Sequence, residues 1–141
     1  MQRRKVAILV KKAALEADRI ANAAFGTYGL TASQYKMLRF LHCHREDRVR
    51  QVDLEKFFSL THPTATGLLQ TLEKKGLILR LPNPDDARSR LVTLTPAAQS
   101  KAEALVELGE GLEQQFTARL EEEERLQLVA LLQKLLGCEE K

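Results

Sequence analysis

Between residues 61 and 94 the chain reads THPTATGLLQTLEKKGLILRLPNPDDARSRLVTL, and few folds accept that order of signals. Thr61 is placed to be a helix N-cap, and Pro63 falls in the first turn, where a missing N–H costs nothing. Leu68, Leu69 and Leu72 make the apolar stripe of this helix. Gly76, after Lys74 and Lys75, is a C-terminal stop with cations in the last turn. Residues 77–81 and 91–94 are short β-rich runs. The segment 82–90 between them carries two prolines, an asparagine and paired aspartates, which make it a loop. A capped helix therefore runs directly into a charged antiparallel hairpin.

The chain before it supplies the support. Nothing breaks a helix over residues 3–25, where Val6, Leu9, Val10, Ala13, Ala17, Ile20 and Ala24 recur at helical spacing. This stripe is narrow and alanine-rich, which suits close approach of another helix, at an interface or in a core. Residues 26–29 interrupt it. Thr31 and Gln34 have the spacing of a capping box, with Leu30 against Tyr35 as a hydrophobic staple, so a second helix starts at Ala32. Tyr35, Met37, Leu38, Phe40 and Leu41 give it a broad apolar face, and it runs out near His44. A short third helix carries Val52, Leu54, Phe57 and Phe58, with Ser59-Leu60 as the turn out of it. Two helices of about ten residues joined by a turn of about three are a helix-turn-helix. With the hairpin as its wing, the expected fold is mainly α, a winged helix-turn-helix.

After the hairpin, Thr95-Pro96 restarts a helix in which Ala98, Ala102, Leu105, Gly109, Leu112 and Phe116 repeat as a short heptad-like seam. Residues 121–124, all glutamate, open a last helix with favourable charge at its N-terminus, and its apolar positions are Leu128, Val129, Leu132, Leu135 and Leu136.

Charge is divided along the chain. Residues 1–95 hold 17 Lys and Arg against 9 Asp and Glu, whereas residues 96–141 hold 5 against 10. The basic part contains the candidate reader helix, which favours a polyanionic partner. The chain has 141 residues, of which 44% are hydrophobic. That is enough for one unit burying roughly 68% of its unfolded surface. No run reaches the about 18 apolar residues of a membrane span, and no secretory signal is evident. Cys43 and Cys138 form neither a CxxC nor a disulfide framework, so a cytoplasmic setting with reduced thiols is expected.

On the reader helix, Thr64, Thr66 and Gln70, with His62 at its start, are the side chains expected at a duplex. Hydroxyls reach phosphates or a thymine methyl, Gln pairs with adenine, and the helix N-terminus attracts phosphate. Gly67 and Lys74 lie on the side facing away from the leucine stripe. In the wing, Arg88 and Arg90 suit a narrow, electronegative minor groove, while Asp86 is expected to shape the loop. Arg48, Arg50 and Lys75 are candidate phosphate contacts. Phe25, Tyr28, Tyr35 and Phe40 are candidate walls of an effector pocket, although core packing also accounts for them.

No P-loop, GxGxxG, GxSxG or HExxH occurs, so no enzyme, cofactor or metal is expected. His42, Cys43 and His44 diverge around a helix and do not make a zinc site. An alternative stays open: a small-molecule or redox sensor that acts through protein contact and uses a winged scaffold. Salt separates the two readings, since DNA affinity falls steeply as salt rises.

Three stretches together resemble the MarR family of bacterial transcriptional regulators: LTASQYKMLRFL at 30–41, LTHPTATGLLQTLEKKGLI at 60–78 and PDDARSRLVTLTPAA at 84–98. Within the last, Asp86, Arg88 and Leu91 match the D-x-R-x-x-L wing pattern. The resemblance implies a homodimer held by a helical dimerisation region from both termini. It divides the chain into an N-terminal dimerisation helix (1–29), a winged helix-turn-helix DNA-binding domain (30–95) and C-terminal dimerisation helices (96–141). It implies a palindromic double-stranded DNA operator, repression in many cases, and release by a small aromatic or anionic effector. The chain departs from the family at Gly67, where many members carry a bulky or basic residue. It also lacks the first-helix cysteine of the peroxide-sensing members and a ligand set like that of the zinc-sensing ones.

Overall fold

The computed structural model describes residues 5–138. Helix α1 spans Val6–Phe25 and leads through a 3-10 turn, Gly26–Tyr28, into α2, Ala32–Cys43. Helices α3, Gln51–Phe58, and α4, His62–Lys74, follow; then come strands β1, Ile78–Pro82, and β2, Arg90–Leu94, and helices α5, Pro96–Phe116, and α6, Glu122–Leu136. Of the first helix expected over 3–25, residues 3 and 4 lie outside the described residues.

The local signals act as the residue types dictate. Thr31 Oγ1 accepts the Gln34 N–H at 3.1 Å while Gln34 Oε1 accepts the Thr31 N–H at 3.1 Å, closing the capping box at the start of α2. Thr61 caps α4 ahead of Pro63, and Thr95 caps α5 ahead of its first-turn Pro96. Between α3 and α4 the chain turns on Ser59, a non-glycine residue at φ 54, and the Leu60 N–H closes back on the Glu55 carbonyl at 2.9 Å.

Strands β1 and β2 pair antiparallel with Ile78 opposite Leu94 and Pro82 opposite Arg90. They run one residue further toward the loop than the sequence suggests at each side. The sheet also gains a piece that the sequence does not announce. The Val92 N–H donates to the Val49 carbonyl at 2.8 Å, and Arg50 bridges Leu91. The segment before α3 thus stitches the root of the wing to the helix-turn-helix.

One core runs through the molecule. Phe25, Met37, Leu54, Leu69, Leu72 and Ile78 are its largest fully buried side chains, and Ala98, Ala102 and Leu105 of α5 close it from the other side. The seam of α5 is therefore directed inward: Ala98, Ala102 and Leu105 of its first half are buried in the core of the same chain. The reason is visible in its small residues. Gly109 receives the Tyr35 hydroxyl so closely that a Cβ built there would lie 1.8 Å from Tyr35 Oη.

The apolar positions left uncovered are elsewhere. Val6, Ile8 and Leu15 on α1 are exposed, and α6 buries none of its residues although Leu131 and Leu136 are 64% and 73% exposed. No helix among the described residues is long and apolar enough to cross a membrane.

Candidate nucleic-acid interface

Helix α4 presents the face expected of a reader. Ala65, Leu69 and Leu72 are buried, which fixes the helix on the core and turns His62, Thr64, Gly67, Gln70 and Lys74 to solvent. Thr66 is half-buried, and its placement has a cause on the neighbouring helix. The Gln51 side-chain amide donates to Thr66 Oγ1 at 2.9 Å and to Glu55 Oε2 at 3.1 Å. His62 Nδ1 lies 2.9 Å from the same carboxylate oxygen. A carboxylate only accepts, so His62 Nδ1 carries the proton. The 3.1 Å approach of Gln51 Nε2 to that nitrogen is then a contact and not a hydrogen bond. Gln51 and Glu55 thus anchor the first turns of the reader helix and leave His62 Nε2 and the Thr66 hydroxyl hydrogen uncommitted by this network.

These two residues were not legible as site residues, because their partners lie up to 15 positions away. Their one local signal is the i, i+4 spacing of Gln51 and Glu55 on α3. The His62 hydrogen bond holds the Glu55 carboxyl below its ordinary range, against a smaller opposing effect of desolvation and with added help from Gln51. A depressed carboxylate adds stability above its unfolded value and loses it as the pH falls through its folded value. Glu55→Gln is accordingly expected to lower the urea midpoint near neutrality. The gap to the unsubstituted protein should close as the pH falls below the ordinary glutamate range and through the lower folded value of Glu55. A gap of constant size as the pH falls would remove the His62–Glu55 hydrogen bond from the account.

The wing loop is shaped by its own acceptors. Asp86 Oδ1 takes the Arg88 N–H at 2.9 Å, Asn83 Oδ1 takes the Asp85 N–H at 3.0 Å, and the Asn83 amide donates to Ser89 Oγ at 2.9 Å. Asp86 is thus a loop-former, as expected. Arg48 is tied to Asp85 at 2.7 Å, Arg50 to Asp53 at 3.0 Å and Arg80 to Glu73 at 3.6 Å. Arg88 and Arg90 are exposed and have no such carboxylate partner among the described residues. A cavity of about 330 Å³ between α3, the start of α4 and the wing is lined by His62, Arg80, Arg88 and Arg90 together with Arg50 and Glu55. It joins the reader helix and the wing into one basic surface. Arg80, which sequence reasoning passed over, brings to it a buried Nε with no hydrogen-bond partner.

Two expectations change. Lys75 does not extend toward this surface: its ammonium donates to the Gly29 carbonyl and to Gln34 Oε1, on the far side of the helix end. The four aromatics assigned to one pocket are also separated. Phe25 and Tyr35 stack at 3.9 Å in the core. Phe40 belongs to a cluster with His44, Phe57 and Phe58. Tyr28 faces a mainly apolar cavity of about 340 Å³, whose walls include Leu30, Leu38, Leu77, Lys101 and Leu105, whereas Phe25 and Tyr35 border a different one, of about 390 Å³, between α1, α2 and α5. Tyr35 and Phe40 are five residues apart on α2 and so point about 140° from each other.

A helix-turn-helix whose exposed second helix adjoins a hairpin with two unpaired arginines defines a winged-helix transcription regulator. The MarR family model matches residues 30–89. The multiple antibiotic resistance protein MarR of Salmonella typhimurium is 36% identical over 120 residues, 84% of this chain and 82% of that protein. Among solved structures, a Staphylococcus aureus MepR–DNA complex superposes with a TM-score of 0.85 at 30% identity, covering 96% of this chain and 98% of that one. A cysteine-to-serine variant of Escherichia coli MarR complexed with operator DNA gives 0.83 at 32% identity, covering 93% of each chain. The chain belongs to the MarR family of transcriptional regulators.

Proposed function

We propose that this chain binds a palindromic double-stranded operator as a homodimer and represses transcription from it, without catalytic activity, in the cytoplasm. The exposed face of α4, with His62, Thr64, Thr66 and Gln70, enters the major groove, Gly67 leaving room on that face and Lys74 lying toward phosphate. Arg88 and Arg90 enter the flanking minor groove. The observation that carries the reading is the pair of uncommitted guanidiniums beside a helix face turned to solvent. Every other arginine near them is held by a carboxylate. The two DNA-bound relatives with this architecture support it.

Residues 30–95 form the DNA-binding domain in this reading, and residues 1–29 and 96–141 the dimerisation helices. The uncovered apolar side chains of α1 and α6 are the surface that a second copy covers, since a monomer gains nothing by leaving them in water. The apolar cavity walled by Tyr28, Leu30, Leu77 and Leu105 is the seat of an effector, an aromatic or apolar molecule whose anionic group pairs with Lys101.

Selection of bound fragments from random duplex DNA tests the whole reading. The expected product is an inverted repeat with half-site centres about 10 base pairs, or about 34 Å, apart. Its association constant should fall with log salt at a slope of about −0.9 per phosphate neutralised. Recovery of unrelated fragments with no repeat would leave only non-specific polyanion binding. Salt-independent behaviour would favour the protein-contact sensor.

A further inference from the structure

The recognition helix is tied at both ends, and the second tie has a different destination from the first. At its start, Gln51 and Glu55 hold it to α3, inside the helix-turn-helix. At its end, Lys75, the residue that caps α4, reaches across to the junction between α1 and α2. Its ammonium donates to the Gly29 carbonyl and, at 3.1 Å, to Gln34 Oε1. Gln34 is only 7% exposed. Its oxygen already receives the Thr31 N–H, and with two donors converging on it the amide orientation is fixed. Gly29 stands at φ 72, a conformation open to glycine and strained for other residues. The junction is itself rigid: Asn22 of α1 accepts the Ala32 N–H of α2 at 2.7 Å, and the Leu30 N–H closes on the Phe25 carbonyl at 3.1 Å.

We propose that Lys75 is a positioning residue which clamps the C-terminal end of the reader helix to the α1–α2 junction, and so sets the angle of that helix relative to the dimerisation helix α1. The inference rests on the DNA-reading function proposed above. Two charge-assisted hydrogen bonds to fixed acceptors define a direction as well as a distance, which apolar packing of Leu69 and Leu72 on the core does not. Through the clamp, a displacement of α1 is carried to α4, and with it to the separation of two reader helices in a dimer. The cavity that contains Tyr28, Leu30 and Leu77 adjoins both halves of the clamp, since Tyr28 and Leu30 flank Gly29 and Leu77 follows Lys75 by two residues. A molecule that swells this cavity pushes on the clamp, which gives occupancy a route to the reader helix.

The test compares Lys75→Met, which keeps the aliphatic stem and removes the donors, with Lys75→Arg, which restores donors. The duplexes are the selected operator, the same operator with one base pair inserted between its half-sites, and a random sequence. Lys75→Met should weaken binding to the selected operator about tenfold, in keeping with loss of hydrogen bonds to a charged group. It should weaken binding to the altered spacing less than about twofold, so that discrimination between spacings collapses, and Lys75→Arg should restore it. A uniform loss on all three duplexes, with the salt slope reduced by about one, would make Lys75 a phosphate contact and overturn the clamp. In the absence of DNA, the Thr31 amide should exchange its hydrogen at least about fivefold faster in Lys75→Met than in the unsubstituted chain, because its acceptor is no longer held. Unchanged exchange also overturns the clamp. If Lys75→Met lowers the folded fraction, Lys75→Ala, which also lacks a side-chain donor, serves in both arms. Absence of salt-dependent duplex binding by the unsubstituted chain would instead defeat the DNA-reading function, and the exchange measurement would still decide the clamp.

Discussion

Replacing Arg88 and Arg90 together by alanine is expected to weaken operator binding roughly a hundredfold at fixed salt. Each truncation removes a charged contact worth about 1.5 kcal/mol or more, and each 1.4 kcal/mol is about tenfold in affinity. The effect should be large here for a reason specific to this wing. Arg48, Arg50 and Arg80 already have a carboxylate beside them, so their field at any phosphate is partly cancelled. Arg88 and Arg90 have no such partner to lose. On the helix, Lys74 is exposed but so is the adjoining Glu73, while Thr64 and Gln70 are neutral and Gly67 has no side chain, so α4 has little net charge with which to compensate. Titration of the selected duplex at two salt concentrations checks the prediction. The slope of log affinity against log salt should flatten by about two if both guanidiniums displace counterions. Affinity within threefold of the unsubstituted protein would move the electrostatic work to the helix end.

The positions that sequence made plain are those whose partners are near in the chain. Thr31 with Gln34, Thr61 with Pro63, and Thr95 with Pro96 announce helix starts because the hydroxyl caps an N–H three residues on. Asp86 was readable as a loop-former for the same reason, its partner being two residues away. Interactions across the fold were not readable. Nothing about Lys75 distinguishes a cation aimed at phosphate from one aimed at a carbonyl 46 residues earlier, and Val49 has no local mark of the strand pairing it makes with Val92. The α5 seam shows a third kind of ambiguity. A heptad spacing states that one face is apolar and close-packed, and leaves open whether the partner is the same chain or another. Small residues such as Gly109 become informative only when the side chain that fills the space is known.

Gly109→Val is expected to destabilise the fold by about 2–3 kcal/mol, as overpacking of a close helix contact does. An added Cβ would stand 1.8 Å from Tyr35 Oη and 2.7 Å from Tyr35 Cζ, so the tyrosine must move or the helices must separate. Neither is easy. The Tyr35 ring is 7% exposed and stacks on Phe25, its centroid 3.9 Å from that of a ring with no exposed surface. A phenol is neutral near pH 7 whether buried or exposed, and burial moves the Tyr35 pKa further up, so the ring gains nothing by swinging out. Separation of α2 from α5 would open the core at Ala102 and Leu105. Tyr35→Phe removes the nearer of the two atoms and leaves the other. In a double-mutant cycle it should recover about 1 kcal/mol of the loss, the coupling expected of residues in direct contact. Additive behaviour of the two substitutions in urea unfolding would show that Gly109 is needed for some reason other than room for Tyr35. Because Tyr35 lies one position beyond Gln34 on α2, the same cycle followed at the Thr31 amide would show whether strain at the α2–α5 contact reaches the Lys75 clamp.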